Sequence, residues 1–211
     1  MMKTEVQSKN RLKIWEIALL LGVAVCLLSG ARALRTQSEL ADKVVRLHVL
    51  ANSDSEEDQA LKLQVRDAVL ERAEDLLAQS ASRAEAEGTL RGQLLEFERL
   101  AEAVVREAGY DYQVTAELTD MEFPTREYED FTLPAGEYLA LRILIGEAEG
   151  QNWWCVVFPP LCTAASADVP ASALAAGFTE EEVRLITEED QGYVLKFKAL
   201  EWWESLREKW D

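Results

Sequence analysis

Histidine and cysteine are scarce: the 211 residues include one histidine, His48, and three cysteines, Cys26, Cys155 and Cys162. A nucleophilic site built from cysteine and histidine would therefore have to use His48. Neither Cys155 nor Cys162 stands in a local sequence signature of a cysteine protease. Zinc-ligand spacings, phosphate-binding glycine loops and dinucleotide fingerprints are also missing, so we expect no bound metal and no cofactor.

Basic residues are few. Lys and Arg number 22 against 39 Asp and Glu, which gives a net charge of −17. The first 33 residues are net positive, so the remainder is even more acidic than the whole chain. Such a body repels phosphate backbones and anionic lipid headgroups, so we expect no nucleic-acid binding. Contact with a membrane is expected only through the N-terminal segment.

Only one long apolar run occurs, and it lies near the N-terminus, from Ile17 to Leu28. Basic residues precede it, and Ala31-Arg32-Ala33 after it resembles a signal-peptidase site, a pattern typical of secretory signals. The run is shorter than the ~20 apolar residues of a usual membrane span. We therefore predict that residues 1–33 are a signal peptide, with an uncleaved N-terminal membrane anchor as the alternative. Residues 34–211 are predicted to form a single extracytoplasmic domain.

The periodicity of the body predicts an α+β fold. We expect a mixed or antiparallel sheet of about five strands, with two long helices and a C-terminal helix packed on it. Ser55 is the expected N-cap of the first long helix, and Gly109 the expected stop after the second. The strands are predicted at 43–50, 110–118, 137–145, 152–158 and 193–198, and the helices at 55–79, 82–108 and 199–210.

Two neighbouring strands, 137–145 and 152–158, are separated by a short turn and are predicted to pair as a hairpin. Adjacent strand residues point to opposite faces, so Trp153 and Trp154 should not enter one core. Cys155 and Cys162 flank the Pro159-Pro160 segment. If the chain doubles back there, a disulfide between the two cysteines is within reach, and two free thiols are the open alternative.

Three blocks of sequence carry a family resemblance: RLHVLANSDSEEDQALKLQVRDAVL (46–70), LPAGEYLALRILIGEAEGQNWWCVVFPPLC (133–162) and LKFKALEWWE (195–204). They resemble the stage II sporulation protein R family of endospore-forming bacteria. The resemblance implies a protein secreted from the forespore into the intermembrane space, or held there by an uncleaved anchor. It further implies a partner, a membrane-embedded sporulation aspartic protease that processes pro-sigma-E in the mother cell. On this reading the chain is a signal that activates the protease and is not an enzyme.

The predicted partner-binding surface joins the loop after the first strand to the end of the hairpin that strands 137–145 and 152–158 are expected to form. Exposed aromatics beside a proline loop are typical of protein-binding surfaces. The predicted residues are Asn52, Ser53, Asp54, Asn152, Trp153, Trp154, Phe158, Pro159 and Pro160. The alternative function is an extracytoplasmic envelope hydrolase with Cys155 as nucleophile and His48 as base. No catalytic residues follow from the family resemblance.

Overall fold

The computed structural model describes residues 14–162 and 168–187. Its helices are α1 (Ile14–Ala41), α2 (Glu56–Leu77), α3 (Arg83–Gly92), α4 (Leu94–Glu107), α5 (Val169–Ala175) and α6 (Glu180–Thr187). Its strands are β1 (Val45–Leu50), β2 (Val114–Phe123), β3 (Arg126–Glu127), β4 (Thr132–Leu133), β5 (Gly136–Ile145) and β6 (Asn152–Phe158). The predicted α+β class is confirmed, whereas the predicted strand 193–198 and helix 199–210 lie outside the described residues.

The chain divides into two compact units, Met1–Thr36 and Gln37–Asp211. In the first unit, the described part of α1 exposes large apolar side chains, among them Ile14 and Leu28. Among the described residues, α1 is the one helix long and apolar enough to cross a membrane. A signal sequence near an N-terminus meets the same criteria, so the helix fits either a signal peptide or a membrane anchor.

The second unit is built on a four-stranded sheet with the order β2-β5-β1-β6. β1 pairs with β5 in parallel and with β6 in antiparallel orientation, and β2 pairs with β5 in antiparallel orientation. The sheet is therefore mixed, and a separate two-stranded ribbon joins β3 to β4. The predicted hairpin of strands 137–145 and 152–158 is wrong, because β1 lies between β5 and β6.

Local sequence signals explain where the helices begin and end. Ser55 caps α2 by accepting a hydrogen bond from the backbone of Asp58, as predicted. Gly109, with φ of 88°, follows α4 and adopts the left-handed conformation that ends helices. The single helix predicted over 82–108 is wrong: α3 ends at Gly92, and Gln93, with non-helical dihedrals, is the cap residue before α4 begins at Leu94.

Each face of the sheet packs against a separate hydrophobic core. One face, here called the helix face, packs against α2, α3 and α4 through alternate strand residues such as Leu47, Leu141 and Cys155. The other, here called the flap face, contributes Tyr138, Ala140 and Val156 to a second core. That second core also includes residues of α5, α6 and the segment from Phe123 to Leu133. Because successive side chains of each strand point to opposite faces, the helix face and the flap face carry different sets of residues.

Candidate functional site

The loop after β1 is fixed to the first turn of α2 by a buried carboxylate, Asp58. Its Oδ2 accepts hydrogen bonds from Asn52 Nδ2 at 2.9 Å and from Ser53 Oγ at 2.6 Å. The phenol of Tyr112 also donates to Asp58. Burial acts to raise the pKa of Asp58, but the hydrogen bonds from Ser53, Asn52 and Tyr112 bring it below its ordinary value. Asp58 is therefore ionised at neutral pH.

The same loop holds the β5–β6 connection, residues 146–151. Asn52 Oδ1 accepts from the backbone of Glu147 at 3.0 Å, and Asp54 Oδ1 accepts from the backbone of Gln151 at 2.7 Å. A Cβ at Gly150 would collide with the backbone carbonyl of Ser53. We call this arrangement the clip, formed by residues 51–54, Asp58 and residues 146–151. The β5–β6 connection crosses the end of β1, which lies between β5 and β6 in the sheet.

Three residues of the predicted binding surface, Asn52, Ser53 and Asp54, are thus occupied with internal hydrogen bonds. Asp58 itself was not among the predicted residues. Its position in the first turn of α2 indicated only a favourable interaction with the helix dipole. The signal that could have identified it is the pair of short polar side chains just ahead of the N-cap, which need an acceptor when buried.

A row of polar side chains crosses the flap face from β2 to β6. Cross-strand register places Glu117 beside Arg142, Arg142 beside His48, and His48 beside Trp154. Arg142 forms an ion pair with Glu117, and its Nε donates to His48 Nδ1 at 3.4 Å. His48 Nε2 lies 2.5 Å from Asn152 Oδ1. Since Nδ1 accepts from Arg142, the proton of neutral His48 resides on Nε2 and is donated to Asn152.

The charge state of His48 follows from its surroundings. Burial lowers the pKa of His48 below its ordinary value, and the positive charges of Arg142 and Arg46 lower it further. The hydrogen bond to Asn152 opposes this shift without reversing it. His48 is therefore a neutral link in the row, with both ring nitrogens engaged.

This assignment predicts a pH dependence of stability. The pKa of His48 is lower in the folded chain than its unfolded value of 6.5, so the unfolded chain binds more protons as the pH falls. We expect full stability above about pH 6.5 and a declining free energy of unfolding below it. Urea unfolding across this range should show the decline for the wild type and a flatter profile for His48→Gln. Identical profiles would contradict the assignment.

The two tryptophans of β6 point to opposite faces, as predicted. Trp153 packs toward the helix face, where the guanidinium of Arg66 lies 4.7 Å from its ring centroid. Trp154 lies on the flap face, under the guanidinium of Arg126 at 4.5 Å. Both rings are half-buried. The Trp154 indole N–H is buried without a hydrogen-bond partner among the described residues.

Arg46 is the second functional candidate that sequence reasoning missed. The alternation of β1 places it on the flap face with His48, but nothing in the pattern indicated that it would be fully buried. Its guanidinium donates to the Tyr128 hydroxyl at 2.8 Å and lies 4.0 Å from the ring centroid of Phe123. Burial lowers the pKa of Arg46. The flap face thus carries Arg46, Arg126 and Arg142 close together in a strongly acidic protein.

The remaining predicted residues, Phe158, Pro159 and Pro160, lie at the other end of β6. Phe158 pairs with Val45, whereas Asn152 pairs with Leu50 at the far end of β1. Six residues of strand separate the two ends by about 20 Å. The predicted surface is therefore two separate groups, and Phe158 and Pro159 are buried.

Cys155 and Cys162 form a disulfide with their Cα atoms 6.1 Å apart. Cys155 faces the helix side of the sheet, whereas His48, one position away in register, belongs to the polar row on the flap face. The structure therefore does not bring together the cysteine and histidine that the hydrolase alternative requires. Among residues 14–162 and 168–187, no group of three or more His, Cys, Asp or Glu is placed to hold a metal ion.

The disulfide predicts a defined thiol count. We expect alkylation of the denatured chain without reductant to modify neither Cys155 nor Cys162, and reduction to add two modified thiols. Closing so short a loop should contribute about 2 kcal/mol to the free energy of unfolding. Mass spectrometry after alkylation measures the count, and modification of both cysteines before reduction would exclude the bond.

Comparison with known proteins identifies the family. The model of the family described as stage II sporulation protein R matches residues 41–168. The chain belongs to this family. It is also 36% identical over 152 residues to the stage II sporulation protein R of Bacillus subtilis (strain 168), covering 71% of this chain and 68% of the relative. No solved structure matched the chain.

The family match covers the sheet and its surroundings. It begins at the end of α1 and runs past β6, so it includes the clip, the polar row of the flap face and the disulfide. The predicted family and its sporulation role are confirmed. The apolar part of α1 lies outside the matched range and fits a signal or anchor segment by its own composition.

Proposed function

We propose that this chain is an exported sporulation signal that binds and activates a membrane-embedded aspartic protease, which then processes pro-sigma-E in the mother cell. In this proposal the chain is secreted from the forespore into the intermembrane space. It acts by binding and performs no catalysis. The single observation that carries the proposal is membership of the stage II sporulation protein R family.

Export is supported by the N-terminal segment. An apolar helix whose large side chains are exposed to water is unfavourable unless a membrane or an export machinery receives it. The charge distribution agrees, because the basic residues before the helix favour retention of the N-terminus in the cytoplasm while the body crosses. The disulfide is compatible with an oxidising space outside the cytoplasm.

Binding without catalysis is supported by the chemistry of the described residues. Both nitrogens of His48 are engaged, by Arg142 and Asn152, so the ring is poorly placed to take a proton from a substrate. Cys155 is held in the disulfide and offers no thiolate. Among the described residues, Cys155 and His48 do not form a catalytic site, and the signalling role is the better-supported function.

The contact surface that we propose lies on the flap face near the start of β6, and we call it the open end of the flap face. It consists of Asn152, Trp154, Arg126 and Arg142, and the buried His48 hydrogen-bonds to Asn152 and Arg142. Arginine and tryptophan are the residue types that contribute most to protein interfaces. The clip fixes the residue before β6, the strand that carries Asn152 and Trp154, so this part of the surface is preorganised and its ordering cost on binding is small.

Reconstitution tests the proposal. The chain with its N-terminal segment, the cognate membrane protease and the pro-sigma factor are co-expressed in a non-sporulating host, and cleavage is read by immunoblot. We expect cleavage that depends on this chain. A double variant, Cys155→Ala with Cys162→Ala, should retain cleavage when it folds and is exported, because it removes the nucleophile of the hydrolase alternative and changes no residue of the proposed contact surface.

Two results would count against the proposal. Absence of cleavage with the wild-type chain exported would remove the protease-activating role. Cleavage by the wild type but not by the folded, exported double variant would return the hydrolase alternative, since covalent catalysis requires its nucleophile. Circular dichroism of the purified variant establishes that it folds.

A further inference from the structure

Arg46 is a buried positive charge without a carboxylate partner among the described residues. It is 0% exposed, and its Nη2 donates to the neutral hydroxyl of Tyr128 at 2.8 Å. Within residues 14–162 and 168–187, neither its Nε nor its Nη1 has a hydrogen-bond partner. The guanidinium lies 4.0 Å from the ring centroid of Phe123 and 5.1 Å from that of Tyr138. These rings stabilise the charge in part, but they leave two buried nitrogens without an acceptor.

Two other arginines show how this chain satisfies the same group elsewhere. Arg72 and Arg83 also have an Nε without a hydrogen-bond partner in the described part of the chain. Each of them forms an ion pair through another nitrogen, Arg72 with Glu96 and Arg83 with Asp120. Arg46 is more deeply buried than either and has a neutral phenol in that place. A guanidinium stays charged inside a protein, so the acceptor that suits Arg46 is an anion.

The charges closest to Arg46 reinforce this need. Burial, and then the like charge of Arg126, lower the pKa of Arg46, whereas Tyr128 and Tyr138 act in the opposite direction. The Trp154 indole N–H is a third buried donor without a partner among the described residues, and its ring lies 5.9 Å from the ring of Phe123 that Arg46 contacts. Arg126 lies over that indole. This corner of an acidic protein therefore favours a negatively charged group.

Tyr128 is the residue through which such a group can reach Arg46. It lies in the connection between β3 and β4, is half-buried and has exposed neighbours on both sides, Glu127 and Glu129. Its hydroxyl occupies only one nitrogen of the guanidinium. A carboxylate can accept from two guanidinium nitrogens at once, and such charge-assisted hydrogen bonds are stronger than a bond to a neutral hydroxyl. A carboxylate that replaces the Tyr128 hydroxyl would thus satisfy Arg46 better than Tyr128 does.

We propose that Arg46, Arg126 and the indole N–H of Trp154 form a carboxylate-binding site on the flap face, where an aspartate or glutamate side chain of the partner protease replaces the Tyr128 hydroxyl. This inference rests on the proposed function and deepens it, because it names the chemical group that the contact surface recognises. Charge complementarity supports the choice of partner: the body of the chain is acidic, so a basic area is where an acidic segment can approach it.

Binding of a small carboxylate is the first test. The exported chain, recovered from a secreting host, is titrated with sodium acetate, and NMR follows the Nε–H signal of Arg46 and the indole N–H signal of Trp154. We expect both signals to move to lower field and to saturate. Acetamide, and sodium chloride at the same ionic strength, should leave them in place. An equal effect of chloride would mean an adventitious ion only, and the absence of a saturable shift would exclude the site.

Three variants separate binding from folding. Arg46→Met should keep or raise the melting temperature, because an apolar side chain of similar length replaces a buried charge without a negative partner. It should lose the acetate effect on Trp154 and need about tenfold more chain for half-maximal pro-sigma cleavage. Tyr128→Phe removes the competing hydroxyl and should bind acetate about fivefold more tightly. Arg66→Met, the same replacement on the helix face, should change neither acetate binding nor cleavage.

The opposite results overturn the proposal. A lower melting temperature of Arg46→Met with acetate binding intact would make Arg46 a purely structural residue. Unchanged or weaker acetate binding by Tyr128→Phe would exclude replacement of the hydroxyl, and this variant decides alone if Arg46→Met does not fold. Full cleavage with Arg46→Met would exclude the protease as the source of the carboxylate. Failure of cleavage with the wild-type chain, while acetate still binds, would remove the proposed function and leave a site for free carboxylates.

Discussion

Asp58→Ala lowers the free energy of unfolding by about 3 kcal/mol, the largest single-residue effect on stability that we expect. The carboxylate accepts hydrogen bonds from Asn52, Ser53 and Tyr112 in a buried position. Alanine leaves these donors without an acceptor, and each buried unsatisfied donor costs about 1–3 kcal/mol. Urea unfolding measured at neutral pH gives the difference directly.

A neighbouring residue provides the matched control. Glu57 precedes Asp58 in the same first turn of α2 but is exposed, so Glu57→Ala should change the free energy of unfolding by no more than about 0.5 kcal/mol. Both substitutions remove one negative charge near the helix N-terminus. A similar loss in the two variants would mean that the helix dipole, and not the buried network, accounts for the role of Asp58.

The effect of Asp58→Ala should also depend on pH. The pKa of Asp58 is lower in the folded chain than its ordinary value of 3.8. Its contribution is therefore complete above about pH 4 and is lost as the pH falls through the folded pKa. The wild type and Asp58→Ala should converge in stability at acidic pH. Amide hydrogen exchange adds a local readout, because loss of the clip should accelerate exchange at Glu147 and Gln151.

Local signals in the sequence predicted the elements better than their arrangement. The N-cap at Ser55 and the stop at Gly109 depend only on neighbouring backbone, and both are confirmed. The order of strands depends on pairing between residues far apart in the chain, for which a single sequence has no local signal. A short turn between β5 and β6 therefore predicted a hairpin, although β1 separates them.

The candidate functional site could be predicted only in part, because its arrangement also depends on contacts between residues far apart in the chain. Period-two alternation correctly placed Trp153 and Trp154 on opposite faces, because that property belongs to any strand. It could not show that Arg46 is buried under Tyr128, since the covering segment lies 82 residues away in sequence. The predicted binding residues near the proline pair and Asn152 lie at opposite ends of β6, because an extended strand separates residues that are close in sequence.

Arg126→Ala weakens activation of the partner protease by about 30-fold, the largest functional effect that we expect from a single exposed side chain. Its guanidinium lies over the Trp154 ring, 4.5 Å from the centroid, on the open end of the flap face. Loss of a central arginine from a protein interface costs about 2 kcal/mol or more, which corresponds to that factor. The measurement is the amount of exported chain that gives half-maximal pro-sigma cleavage in the reconstituted host.

Arg66 provides a closely matched control for Arg126. Its guanidinium lies 4.7 Å from the ring centroid of Trp153, so Arg66→Ala removes the same kind of contact from the opposite face of the same strand. We expect Arg66→Ala to activate the protease almost as well as the wild type, because α2 and α4 cover the helix face. Equal losses in Arg66→Ala and Arg126→Ala would move the contact surface to the edge of β6, and a loss in Arg66→Ala alone would place it around Trp153. Only a selective loss in Arg126→Ala, with unfolding unchanged, assigns partner binding to the flap face.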